Sequence, residues 1–168
     1  QGPCPEPCFN DTSRVSAYLM WGELIYSYKP DSALLLWQKG IKIIENMRSK
    51  YPNHNPETRK VKELHATILN NMGAICGFKG DPVNALNYYL ESLNIREDIG
   101  DQKGIAQSYN NIGMIYKKQG DIKKALDCYL KSIEIKKQIG DKEGMINTLN
   151  NIGGIYYNQG YIVKALTY

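Results

Sequence analysis

The residues in this sequence whose type and spacing could do chemistry are first of all three asparagine pairs. Asn70-Asn71, Asn110-Asn111 and Asn150-Asn151 recur at a step of 40, each followed by Met or Ile and then Gly. An amide side chain carries both a donor and an acceptor, so a row of them can grip an extended peptide backbone whatever its side chains. The other polar candidates assemble into nothing catalytic. Cys4 and Cys8 lie close together in Cys-Pro-Glu-Pro-Cys but lack the second half of a zinc site. They read either as a disulfide in an oxidising compartment or as plain tail. Cys76 and Cys128 sit singly inside helical patterns and read as small core residues. His54 falls in a loop, and His65 on a helix without a cysteine or carboxylate at ligand spacing. Gly73 to Gly80 follows no strand, so it is not a phosphate-cradling loop, and Glu97/Asp98 read as exposed helix residues. The expectation is a non-enzyme with no catalytic residue, no metal and no cofactor.

The elements that must position those amides follow from the same repeat. Gly80-Asp81, Gly120-Asp121 and Gly160-Tyr161 keep the step of 40, as do Ala85-Leu86, Ala125-Leu126 and Ala165-Leu166. Residues 101–128 and 141–168 agree at 14 of 28 positions, too many for coincidence. Within a unit the apolar period is helical: Ile105, Tyr109, Ile112, Ile115 and Tyr116 fall at steps of three and four. So do Ala125, Leu126, Tyr129, Leu130, Ile133 and Ile135. Gly120 is placed to end the first helix in the left-handed conformation, and Asp121 to cap the second. Asp101 and Asp141 are placed to cap the first helix of their units, and Pro82 suits a first helical position. Each unit is therefore an antiparallel helix pair. One pair cannot bury both of its apolar faces, and stacking on the next makes a continuous core. Gly113 and Gly153 fall mid-helix, where a glycine costs about 1 kcal/mol relative to alanine; close approach of the partner helix is the expected compensation.

Composition agrees with a globular helical chain. Of 168 residues 42% are hydrophobic and 23% charged, near soluble averages, so the chain is not expected to be disordered. The net charge of +4 is spread out. Lys117-Lys118 and Lys136-Lys137 read as solvated helix faces and not as a surface tracking phosphates, so nucleic acid is not an expected partner. No apolar run reaches the roughly 18 residues of a membrane span. The compartment stays open; the absent initial Met and the Cys4/Cys8 pair lean toward an extracytoplasmic one.

The small residue Gly113, Tyr116, the turn at Gly120, Ala125, Tyr129 and Ser132 match in order and spacing the pattern of the tetratricopeptide repeat. Gly73, Cys76, Gly80, Ala85, Tyr89 and Ser92 repeat the series, with Cys76 where an aromatic is usual. Gly153, Tyr156, Gly160 and Ala165 begin it again. The chain resembles this family over residues 61–168. Its period of 40 resembles the longer-helix branch found in kinesin light chains, Leu-Gly-Asn scaffold proteins and bacterial sensor arrays. The resemblance implies an all-α fold, a right-handed α-α superhelix of tandem helix pairs. The expected layout is a flexible tail at 1–13 and an array at 14–168. Its units are a degenerate first repeat at 14–50, then 57–99, 101–139 and an incomplete 141–168. In the first, Ser16 to Tyr28 and Asp31 to Lys50 give two amphipathic stretches. Ala33 and Trp37 take the places of Ala85 and Tyr89, and Gly22 is the small position if the turn is one residue shorter. Residues 51–56 read as a loop.

In this family the first helices line a concave side used for ligands. The resemblance therefore implies a peptide-binding groove at Asn71, Asn111 and Asn151, completed by Gln107, Asn110, Met114, Lys117, Asn147, Asn150, Tyr157 and Asn158. The competing reading is that these asparagines serve contacts between helices. Relatives that clamp an acidic C-terminal carboxylate carry Lys or Arg where this chain has Gln107, Asn147 and Asn151. A neutral or mixed protein or peptide partner is expected instead. The expected function is a non-enzymatic scaffold; the alternative is the sensory or regulatory region of a larger bacterial signalling protein. The open C-terminal end suggests continuation past Tyr168, or else self-association through that uncapped face.

Overall fold

The structure, a computed structural model, describes residues 6–50 and 59–167, for residues 6–9 and 50 the backbone alone. The described residues form eight helices and no strand. They are α1 (Glu6–Ile25), α2 (Pro30–Lys50), α3 (Arg59–Phe78), α4 (Pro82–Asp98), α5 (Gln102–Lys118), α6 (Ile122–Gln138), α7 (Lys142–Asn158) and α8 (Ile162–Ala165). Cys4, His54 and the loop expected at 51–56 lie outside the described residues.

The turns form as local chemistry dictates. Gly80, Gly100, Gly120, Gly140 and Gly160 all have positive φ, between 68° and 82°, a conformation that a β-carbon would strain. Asp121 N–H reaches back to Tyr116 O at 3.0 Å and Gly120 N–H to Lys117 O at 3.1 Å, closing the helix end on its own carbonyls. The carboxylates of Asp81, Asp101, Asp121 and Asp141 then accept from the backbone N–H three residues on, opening α4, α5, α6 and α7. The first unit departs from the expected bounds. Its α1 begins at Glu6, well before Ser16 and inside the stretch assigned to a tail, because residues 6–14 carry no apolar stripe for periodicity to detect. Its α2 begins at Pro30.

Each pair packs internally and each second helix packs on the next first helix. The first helices also touch in series, α1 on α3, α3 on α5 and α5 on α7, whereas α2, α4 and α6 do not touch one another. A stack in which only the first helices meet curves toward them, so they line its inner side: an α-α solenoid. Within a pair, a large ring lies against a mid-helix glycine. A β-carbon on Gly113 would meet Tyr129 Cε1 at 2.8 Å, and one on Gly73 would meet Tyr89 Cε1 at 2.9 Å. Gly22 stands in the same relation to the Trp37 ring, whose Nε1–H donates to Leu19 O at 3.1 Å. The degenerate unit thus shares the register, one residue shorter.

Candidate functional site

The asparagine pairs lie on α3, α5 and α7, along the inner side. Their amides join neighbouring helices. Asn111 Nδ2 donates to Asn70 Oδ1 at 2.9 Å, and Asn151 Nδ2 donates to Asn110 Oδ1 at 3.3 Å. Asn71 Nδ2 takes Glu23 Oε1 of α1 at 3.0 Å, and Asn70 Nδ2 reaches Asn71 Oδ1 at 3.4 Å. The second amide of each pair therefore clips its helix to the one before. Asn111 Oδ1 and Asn151 Oδ1 have no partner among the described residues. The ladder thus does structural work with its donors.

Between α5 and α7 a cleft of about 310 Å³ brings together four of the expected residues, Gln107, Asn110, Asn111 and Asn147. Lys103, Lys136, Asp141 and Gly144 complete its lining. Gln107 and Asn147 are exposed, while Asn110 and Asn111 are half-buried. Asn71 lies one helix toward the N-terminus, held by Glu23. Met114 and Lys117 are half-buried about a turn further along α5, with the Lys117 ammonium 3.8 Å from where a Gly154 β-carbon would sit. Asn150, Tyr157 and Asn158 are exposed on α7 and do not line the cleft.

Lys136 corrects the sequence reading. Its place beside Lys137 predicts a solvated side chain, yet Lys136 is 6% exposed. Its ammonium donates to Gly144 O at 2.9 Å and Thr148 Oγ1 at 2.7 Å. Burial holds its pKa below the ordinary lysine value, with the Asp141 charge acting in the opposite direction. The signal that could have found it is the shared step of 40 in Arg96/Lys136, Gly104/Gly144 and Ser108/Thr148. Lys118, also read as solvated, is exposed but donates to Gly77 O of α3 at 3.0 Å.

His65 is buried beside a second cavity of about 380 Å³, lined among others by Arg48 and Glu91. The Cys76 and Cys128 thiols are half-buried, and burial raises both pKa values, as suits packing residues. Among the described residues no three His, Cys, Asp or Glu side chains group as a metal would require, and no helix is long and apolar enough to cross a membrane.

A family model described as tetratricopeptide repeat matches residues 64–138 and again 104–168. No curated protein matches the chain. One solved structure, described as BtubC (BKLC) from P. vanneervenii, is similar with a TM-score of 0.58 at 15% identity. That alignment covers 90% of this chain and 66% of that one, just under two thirds of its length. At such identity the likeness speaks to the fold.

Proposed function

Because the chain belongs to the tetratricopeptide repeat family, whose arrays serve in general as protein-interaction scaffolds, we propose that it binds an extended peptide segment of a partner along its inner side. The observation that carries this reading is the pair of acceptors, Asn111 Oδ1 and Asn151 Oδ1, at equivalent places on successive first helices, with Asn111 lining an open cleft. An extended strand presents N–H groups at regular intervals, and such acceptors take them without regard to side-chain identity. The cleft adds the ammonium group of Lys103, the carboxylate of Asp141 and the amides of Gln107 and Asn147, while the Lys136 ammonium is turned to Gly144 O and Thr148 Oγ1. A peptide of neutral or mixed charge suits that lining. Family members of this kind act by holding partners, and the proposed role is likewise binding without catalysis.

The test is selection of linear peptides from a random display library against the chain, followed by titration of the best binder. Asn111→Ala with Asn151→Ala is expected to weaken that binder about tenfold, roughly 1.4 kcal/mol. Both residues also clip neighbouring helices, so the variant's helical content and thermal midpoint must be measured in parallel. Unchanged affinity in a folded double variant would remove the ladder from the binding mechanism.

A further inference from the structure

Aligned on the contact of Gly22 with Trp37, α1 carries Trp21 and Leu24 where α3, α5 and α7 carry Met72/Ile75, Ile112/Ile115 and Ile152/Ile155. In the later helices these residues are the interlock between pairs. Met72 and Ile75 pack in one cluster with Ala33 and Trp37, Ile112 and Ile115 with Ala85 and Tyr89, and Ile152 and Ile155 with Ala125 and Tyr129. All six are at most 4% exposed, whereas Trp21 is 52% and Leu24 65% exposed. The outer face of α1 therefore continues an interface used three times in the stack, with its interlocking residues uncovered.

The same register says what kind of helix fits there. The interface elsewhere extends to the first turns of the helix, through Leu64, Gly104 and Gly144, and at that place α1 has Ser13, followed by Arg14 paired with Asp11. Only the C-terminal half of the α1 face is apolar, with Ala17, Met20, Trp21 and Leu24 at steps of three and four and Tyr28 in the turn that follows. A full-length helix laid along α1 would meet polar groups over half its length. A helix crossing it at Trp21 would not. Met20, Trp21, Leu24 and Tyr28 together expose on the order of 400–500 Å², so a symmetric contact covers about 800–1,000 Å² in total, near the lower limit for a specific interface. No charge lies within the stripe, and Glu23 beside it is engaged by Asn71, so two copies can meet without like charges opposed.

We infer that the C-terminal half of α1 is a self-association surface, and that two copies of this chain dimerise by crossing their α1 helices about a two-fold axis at Trp21. This does not depend on the proposed groove. It also differs from association through the C-terminal face, where Val163 and Leu166 are exposed.

Sedimentation equilibrium of the full chain between about 1 and 200 μM should show a monomer–dimer transition, as befits a contact of this size. Tryptophan emission should shift to the blue across the same range, since Trp37 is already buried and only Trp21 changes environment. Trp21→Glu with Leu24→Glu should raise the dimer dissociation constant at least tenfold with unchanged helical content. Should that pair unfold the chain, the milder Leu24→Ser is expected to weaken the dimer in a folded protein. Val163→Glu with Leu166→Glu should leave the dimer intact. A monomer throughout the range overturns the inference, as does a dimer that survives the α1 changes or dissolves with the C-terminal ones.

Discussion

Arg96 donates from Nη1 to Ser108 Oγ at 3.0 Å across the boundary between α4 and α5, and to Gly104 O at 2.7 Å. Lys136 makes the same pair of contacts with Thr148 and Gly144 between α6 and α7. Both cations are buried, and burial lowers the pKa of each while Asp101 or Asp141 acts against it. A β-carbon on Gly104 would fall 2.7 Å from Arg96 Cδ, so the glycine lets the long side chain through. At the first boundary the equivalent residues are Ile44, Leu64 and Ile68, all apolar and buried. Each boundary is thus matched within itself, cation to hydroxyl or apolar to apolar, and this matching favours one order of units over another.

Breaking one side of such a match should therefore cost more than replacing both. Lys136→Met takes the ammonium donor from Gly144 O and Thr148 Oγ1, leaving them only the 3.3 Å bond that Thr148 Oγ1 donates to Gly144 O, and is expected to destabilise the chain by about 2 kcal/mol. Adding Thr148→Val removes the hydroxyl that faced the ammonium and lets apolar groups meet, which should recover roughly 1 kcal/mol. Urea unfolding of the two single variants and the double variant measures the coupling. Strict additivity would mean that the contact does nothing.

The mid-helix glycines divide into two kinds by what surrounds them. A β-carbon on Gly113 would meet the Tyr129 ring at 2.8 Å and Ala125 O at 3.1 Å, and neither can retreat in a core where Tyr129 is fully buried. The overpacking, about 1–3 kcal/mol, should exceed the helix propensity gained, about 1 kcal/mol. Gly113→Ala is expected to lower the thermal midpoint. Gly154 faces only the flexible end of Lys117 at 3.8 Å, so Gly154→Ala should stabilise by about 0.5–1 kcal/mol. Paired thermal melts decide it, and a rise for both variants would refute the packing argument.

Tyr129 buries its ring completely, yet its hydroxyl finds no hydrogen-bond partner among the described residues. An unpaired buried hydroxyl carries its full desolvation cost. Tyr129→Phe keeps the ring against Gly113 and discards the hydroxyl, so it is expected to stabilise the chain by about 1 kcal/mol. Denaturant unfolding is the measurement; a clear loss of stability would show that the hydroxyl is satisfied in solution.

What could be read from the sequence was what depends on neighbours along the chain. Gly120 and Asp121 announce a helix end and a helix start because left-handed glycine and an aspartate cap are local chemistry, and Gly22 revealed the hidden register through its spacing to Trp37. Contacts between units were harder. Lys136 beside Lys137 looks like a wet helix face until the hydroxyl of Thr148, a full helix away, is known to receive it. The asparagines were legible as a row on one side. Whether their amides faced a ligand or each other was a question of helix spacing, and the spacing lets Asn111 reach Asn70. At α1 the apolar period stops before the helix does, so its first turns were invisible.

Alkaline solution offers a test of the aromatic core as a whole. Burial pushes the pKa of both Tyr89 and Tyr129 up to about 12 from an ordinary value of 10.0, with smaller contributions from the neighbouring Cys76 and Cys128. The folded value lies above the unfolded one, so the unfolded chain loses these protons first. The stability they contribute is complete below about pH 10 and drains away as the pH climbs toward 12. For a shift of this size the loss is on the order of 2 kcal/mol for each ring. Stability measured by urea unfolding between pH 9 and about 12 should fall through that window. Tyr129→Phe should make the fall shallower by about half, since one of two such phenols is gone. Tyrosinate absorbance should in parallel show the two buried rings ionising only as the pH approaches about 12. If Tyr89 and Tyr129 ionise near the ordinary value of 10.0 while the chain stays folded, the tight ring-on-glycine packing of their helix pairs is not present in solution.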